Sequence, residues 1–181
     1  MARRWIITAV GQDRPGIVAG VTKTLFEHGC NLEDSAMTRL AGEFAIMLIF
    51  SGPGTMTERS LRRALEPLAR RLRLAAHLKP LTKQEAARPR KRGRSYLISV
   101  YGKDRPGIVY RISDVLARNR ANITDVHTHR SRRGRPSLYL TLLEVEVPPA
   151  RPIASLERQL ATAARRLGVE VSLRPAEVNV L

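Results

Sequence analysis

Two hydrophobic periodicities alternate at the start of the chain. Residues 3–10 carry apolar side chains at both odd and even positions, which is typical of a central β-strand. Ile17, Val21 and Leu25 then recur at helical spacing, and Gly29 is suited to end that helix. The first stretch is therefore predicted to be a strand followed by a helix.

The pattern continues with two strands, a helix and a strand. A strand starts near Asn31, a tight turn is predicted at 41–42, and residues 44–50 alternate as the next strand. Leucines over 61–72 recur at helical spacing, and residues 74–78 form a last strand. The order β-α-β-β-α-β is that of the ferredoxin-like split βαβ motif, with both helices on one face of a four-stranded antiparallel sheet.

Local signals predict how the two helices begin. Asp13 is expected to cap the first helix, with Pro15 in its first turn. Thr55 and Glu58 have the spacing of a capping box at the start of the second helix, and Pro67 is expected to kink or break that helix.

The whole pattern occurs again 91 positions later. The octet GQDRPGIV at 11–18 is nearly copied as GKDRPGIV at 102–109, and the offset holds without a gap for more than thirty residues. We therefore predict an α+β protein with two ferredoxin-like domains in tandem, at 1–81 and 95–181, joined by a basic linker at 82–94. Because small domains have thin cores and exposed strand edges, we expect the two sheets to associate edge to edge or face to face, with one eight-stranded sheet favoured.

The repeated octet is the strongest functional signal. Gly16 and Gly107 place no side chain at a helix start, where backbone N–H groups and the positive end of the helix dipole favour an anion or a carboxylate. A single such turn is more simply explained as a well-formed helix start. Its repetition, together with the repeated Asn31 and Asn122, favours a binding role.

Composition narrows the cellular setting. The single cysteine, Cys30, excludes an internal disulfide and a cysteine zinc cluster, which suits a reducing compartment. The apolar run after the first residues is too short for a signal peptide, and no stretch approaches a membrane span. We expect a cytoplasmic protein without a membrane partner.

The chain is strongly basic, with a net charge of +16. The excess is densest around the linker, and Arg130, Arg132, Arg133 and Arg135 cluster at a predicted hairpin tip. Solvated loops explain these charges at least as well as an RNA or DNA contact.

Both halves resemble ACT domains, the small-molecule-sensing modules of many enzymes of amino-acid metabolism. The specific part of the resemblance is the D-R-P-G-I-V turn followed by an asparagine at the second strand, and the tandem is similar to the glycine cleavage system transcriptional repressor group. The resemblance implies an amino acid bound at the interface between two modules. The matching positions are Asp13, Gly16, Ile17 and Asn31, and in the second copy Asp104, Gly107, Ile108 and Asn122.

One position departs from the family pattern. Amino-acid-sensing members often have asparagine where this chain has Asp13 and Asp104. A carboxylate can pair with a ligand ammonium group but cannot donate a hydrogen bond to a ligand carboxylate, so the ligand or its orientation differs. Met37 and Thr38 correspond to Thr128 and His129, so the two sites need not both work.

The sequence contains no catalytic constellation. His127 and His129 face the same way on a predicted strand, but only Asp125 could join them, so a metal site is not expected. An enzyme would require Asp125 and one of these histidines in a deep pocket. No cofactor is predicted.

The resemblance implies a non-catalytic regulator that senses a small, glycine-like or serine-like amino acid and signals to a regulatory or transcription-factor protein. The alternative is a basic RNA-binding module that uses its sheets. With 4% aromatic residues, and Tyr139 on the third strand of the second copy outside an RNA-binding pattern, this alternative is not favoured. A homodimer is left open.

Overall fold

The computed structural model describes residues 2–82, 84–85, 93–131 and 137–176. The chain divides into two compact units, with the boundary between residues 88 and 89. Most of the predicted linker lies outside the described residues, as do three arginines of the predicted hairpin tip: Arg132, Arg133 and Arg135.

Each unit has the predicted element order. The elements of the first unit are β1 (Arg3–Gln12), α1 (Ile17–Glu27), β2 (Asn31–Leu40), β3 (Glu43–Gly52), α2 (Glu58–Leu72) and β4 (Ala75–Leu81). Those of the second unit are β5 (Arg94–Lys103), α3 (Ile108–Arg118), β6 (Asn122–Arg130), β7 (Leu138–Val147), α4 (Ile153–Leu167) and β8 (Val169–Pro175).

The described strands form two four-stranded antiparallel sheets, in the orders β2-β3-β1-β4 and β6-β7-β5-β8. β1 and β5 are interior strands, as the apolar residues on both of their faces predict. Each described strand has its hydrogen-bonded partners within its own four-stranded sheet, and the expected association of the two sheets stays a prediction.

A separate hydrophobic core lies between the sheet and the two helices of each unit. Ile7, Leu48 and Leu61 are about 1% exposed in the first core. Ile98 and Leu156 are fully buried in the second core. The helical and alternating periodicities of the sequence therefore mark the faces that meet in each core.

The predicted start of the first helix is wrong. α1 begins at Ile17 with Gly16 as its N-cap, and no side chain caps it. Asp13 and Pro15 precede the helix, and the second unit repeats this arrangement at Gly107. Asp13 does not cap because it lies three residues before the N-cap, and its carboxylate pairs with an arginine, as described below.

The N-cap of the second helix lies two residues after the predicted capping residue, Thr55. Thr57 and Ser60 form the capping box, with the Thr57 hydroxyl accepting from the Ser60 N–H at 3.1 Å. Glu58 instead pairs with Arg62 one turn later. α2 continues through Pro67 to Leu72, so the proline does not break the helix.

Candidate functional site

The repeated turn has the same backbone conformation in both units. Gly16 and Gly107 both have φ near +90°, which is unfavourable for residues with a Cβ. A Cβ built on either glycine would meet no atom within 4 Å, so backbone conformation rather than crowding requires glycine. The space above both helix starts is open.

This turn leaves backbone donors available. The first intrahelical bonds run from the Gly20 N–H to the Gly16 carbonyl at 2.8 Å and from the Arg111 N–H to the Gly107 carbonyl at 3.0 Å. The N–H groups before them lack an intrahelical acceptor and lie at the positive end of the helix dipole. Ile17 is buried in the core, as is Ile108 in its unit, so these two predicted site residues can offer only backbone groups.

An ion pair accompanies each turn. Asp13 accepts a hydrogen bond from Arg39 at 3.2 Å, and Asp104 pairs with Arg130 at 2.7 Å. Both arginines stand near or at the end of a strand, β2 or β6, and their side chains are 70% and 64% exposed. Each turn therefore presents a guanidinium and a carboxylate side by side.

Sequence reasoning missed the role of these arginines. Arg39 was not among the predicted site residues, and Arg130 was assigned to the hairpin cluster. Their separation is the same 91 positions that relates the two turns, which is the signal that identifies them.

The predicted asparagine lies far from the turn of its own unit. Asn31 pairs with Ser51 on β3, and Ser51 pairs with Arg4 near the start of β1. The turn follows Gln12 at the other end of β1, level with Leu40. β2 rises about 3.3 Å per residue, so roughly 30 Å separate the asparagine from the turn.

The second unit repeats this separation. Asn122 pairs with Glu146, which pairs with Ser95 near the start of β5, whereas the turn follows Lys103 at the end of that strand. Neither unit brings its turn and its asparagine together, although both asparagines are exposed. A site that uses both features must take them from two different modules.

The strand surface beside each turn differs between the units. Met37 is 61% exposed on β2 and pairs with the buried Ile46 on β3. At the equivalent place the Thr128 and Thr141 hydroxyls are hydrogen-bonded at 3.1 Å, and Thr141 is only 1% exposed. We call these pairs the floors of the two sites: one is apolar and the other carries hydroxyl groups.

The residues considered for catalysis lie on an exposed surface. His127 Nε2 is 3.0 Å from Asp125 Oδ2, and both side chains are at least half exposed on the sheet face opposite the helices. Asp125 also accepts a hydrogen bond from the backbone N–H of Val126 at a β-bulge. At the matching bulge of the first unit, Asp34 accepts one from the backbone N–H of Ser35. Among the described residues, no group of three or more metal-ligating side chains could hold an ion.

The aromatic residue on which the RNA-binding alternative depends does not face outward. Tyr139 packs against the core of the second unit, on the helix side of β7. A base could not stack on it from the open sheet face. No helix in the described part of the chain has the length and apolar character needed to cross a membrane.

Comparison with known proteins identifies both units. A family model described as "ACT domain" matches residues 3–79 and 95–174. Together these ranges cover most of the chain.

Two curated relatives match parts of the chain. The glycine cleavage system transcriptional repressor of Escherichia coli is 47% identical over 47 residues, which are 26% of this chain and 25% of the repressor. The UPF0237 protein MJ1558 of Methanocaldococcus jannaschii is 36% identical over 83 residues, which are 45% of this chain and 88% of that protein. The chain thus spans only a quarter of the repressor's length but most of the archaeal protein's length.

A solved structure matches the full tandem. A protein of unknown function from Galdieria sulphuraria superposes with a TM-score of 0.81 over 98% of this chain and 100% of its own, at 24% identity. At that identity the likeness shows the fold alone.

Proposed function

Because the chain belongs to the ACT domain family, we propose that it is a non-catalytic regulatory protein that binds a small amino acid. The observation that carries this proposal is the repeated ion pair beside an open helix start: Asp13 with Arg39, and Asp104 with Arg130. The two units preserve this arrangement although many surrounding residues differ.

The charges at each turn match those of an amino acid. The ligand's α-carboxylate can bind the exposed guanidinium and the free N–H groups at the helix start. Its α-ammonium group can bind the carboxylate, which resolves the problem raised by Asp13 and Asp104 in place of asparagine. The pair therefore replaces a neutral amide with one donor group and one acceptor group.

We propose that each site is completed by a second module. In ACT domains that bind amino acids, the ligand lies between two modules, in contact with the turn and the asparagine. Since Asn31 and Asn122 lie about 30 Å from the turns of their own units, each turn would receive the asparagine of another module.

The two floors suggest that the two turns prefer different amino-acid ligands. The exposed Met37, paired with the buried Ile46, offers only apolar contacts, which suits a ligand with little or no side chain. The exposed Thr128 hydroxyl, which is already bonded to the buried Thr141, can exchange a hydrogen bond with a ligand hydroxyl group. We therefore propose glycine-like ligands at the first turn and serine-like ligands at the second.

The proposed output is a change in the population of module arrangements. An amino acid that bridges two modules stabilises the arrangement in which both contact it, and a partner protein can recognise that arrangement. The partial match to a transcriptional repressor motivates a transcription-factor partner and a role in the control of amino-acid metabolism. A cytoplasmic location remains part of this proposal.

A thermal-shift screen tests the proposal. We expect a small amino acid at about one hundred times its Kd to stabilise the protein by about 2.7 kcal/mol, with a clear rise in Tm. Asn31→Ala and Asn122→Ala should reduce the shift, whereas Gln84→Ala, which removes an exposed amide outside the predicted site residues, should not. No shift with any proteinogenic amino acid, or equal shifts in all three variants, would contradict the proposal.

A further inference from the structure

A cationic groove lies between α3 and α4 of the second unit. Four arginine side chains line it, Arg111 and Arg118 from α3 and Arg158 and Arg166 from α4. Its volume is about 390 Å³, and Asp114 is the carboxylate-bearing residue among the described residues that line it. The groove is therefore strongly positive.

Most of this charge is not neutralised. Asp114 pairs with Arg118 at 2.6 Å. Within the described part of the chain, no carboxylate forms an ion pair with Arg111, Arg158 or Arg166. Three guanidinium groups are thus free to bind an anion.

Polar uncharged groups lie between the arginines. Ser155, Gln159 and Thr162 line the middle of the groove. Gln159 is held by the buried Asn119, whose side-chain amide donates to its Oε1 at 2.9 Å. The groove thus combines fixed hydrogen-bonding groups with free positive charge.

The first unit has arginines at two of the four equivalent positions, Arg63 and Arg71 on α2, but none on α1. Gly20 and Glu27 stand where the second unit has Arg111 and Arg118, and Glu27 pairs with Lys23. The difference therefore arises on the first helix of each unit.

The residue that faces this position from the second helix of each unit also differs, and it is smaller where the first helix carries the larger side chain. A Cβ on Gly20 would lie 2.8 Å from Leu68, so the first unit fills this space from its second helix. In the second unit Ala163 replaces that leucine and Arg111 replaces the glycine. The smaller residue on α4 leaves room for the arginine stem, so the groove is a packed feature rather than a chance run of surface charge.

We propose that this groove binds one strand of a nucleic-acid backbone. Arg158 and Arg166 are eight residues apart on α4, or about 12 Å along the helix axis, so they can contact different phosphate groups. Hydroxyl and amide groups between them suit phosphate and sugar oxygens.

Two features favour an extended backbone over other anions. The groove is open and would leave a free nucleotide largely in solvent, whereas small ligands are usually enclosed. No aromatic residue lines it among the described residues, so bases would not be stacked and binding would be independent of sequence. The proposed nucleic-acid contact is made by α3 and α4, so it does not depend on amino-acid binding at the turns.

Fluorescence anisotropy of the full chain with a labelled single-stranded oligonucleotide tests the proposal. The variant R111Q/R158Q should bind about tenfold more weakly, and its plot of log affinity against log salt should be shallower by about 1.4, or about 0.7 for each lost phosphate contact. The matched variant R63Q/R71Q removes the same charge from α2 of the first unit and should bind like the wild type. Asp114→Asn should bind more tightly because it removes the carboxylate from the groove.

Other outcomes would overturn the proposal. Equal losses in R111Q/R158Q and R63Q/R71Q would indicate nonspecific attraction to net charge, and no loss in either would place the binding outside the groove. Displacement of the oligonucleotide by polyglutamate or ATP, as effectively as by unlabelled oligonucleotide at equal charge concentration, would show that the groove does not select a nucleic-acid backbone. The arginine variants alter exposed side chains and Asp114 is half-buried, so a circular dichroism melt matching the wild type confirms that each variant is folded.

Discussion

The two units have the same turn but different floors beside it. The glycine conformation and the aspartate–arginine pair are repeated, whereas Met37 and Ile46 are replaced by the hydrogen-bonded Thr128 and Thr141. Backbone geometry restricts the turn to glycine, and charge complementarity maintains the ion pair. Neither constraint applies to the floor, and its side chains differ between the two units.

The largest predicted effect tests whether the two cores are equivalent. Ile7→Ala and Ile98→Ala should each reduce the free energy of unfolding by about 2–5 kcal/mol, because both side chains are fully buried. Urea unfolding measures these losses. Leu40→Ala, at an exposed strand end, should change stability by less than about 0.5 kcal/mol. A loss of similar size in Leu40→Ala would show that the cores are wrongly assigned.

The next effect tests the equivalence of the turns. Gly16→Ala and Gly107→Ala should each cost about 1–2 kcal/mol, because the left-handed conformation is unfavourable for residues with a Cβ. Asparagine tolerates this conformation better, so Gly16→Asn and Gly107→Asn should cost less. Chemical denaturation compares the four variants. Equal losses for alanine and asparagine would argue against backbone strain as the cause.

A double-mutant cycle tests the difference between the floors. Thr128→Val and Thr141→Val should show a coupling energy of about 1 kcal/mol, the typical net contribution of one hydrogen bond. The equivalent cycle with Met37→Val and Ile46→Val should show little coupling, because no hydrogen bond joins those side chains. Similar coupling in both units would mean that the hydroxyl pair is not what distinguishes them.

The smallest effect concerns Cys30, which has Ala121 as its counterpart. Burial raises the pKa of the Cys30 thiol, and its Sγ lies 3.7 Å from the Met56 sulfur. Because the thiolate is the reactive form, labelling by iodoacetamide at pH 8 should be slower in the native protein than in urea. The rate should increase as the pH rises towards the elevated pKa. Equal rates in the two states would contradict this burial.

Periodicity and the repeat predicted most of the fold. Strand and helix positions followed from side chains that face a common core, which is a local property of the sequence. The helix start at Asp13 was mispredicted because the left-handed Gly16, three residues later, is the N-cap, and an aspartate before a proline does not by itself show where the helix begins. The capping box of α2 was misplaced because Ser60 performs the role usually given to glutamate.

The candidate site was predicted in its parts but not in its arrangement. The repeat identified the turns and the asparagines, and the same offset also contained the overlooked Arg39 and Arg130. Strands joined through one helix run in the same direction, so Asn31 must lie at the opposite end of the sheet from the turn. That consequence of the β-α-β order could have been drawn from the sequence, whereas the hydroxyl pair of the second floor depends on strand register.

Isothermal titration calorimetry on variants of the two ion pairs tests most directly whether the turns bind amino acids. With the amino acid found by thermal shift, the wild type should bind two molecules per chain, Arg39→Gln and Arg130→Gln should each bind one, and the double variant should give no heat. A double variant that binds with the stoichiometry and affinity of the wild type would contradict the account.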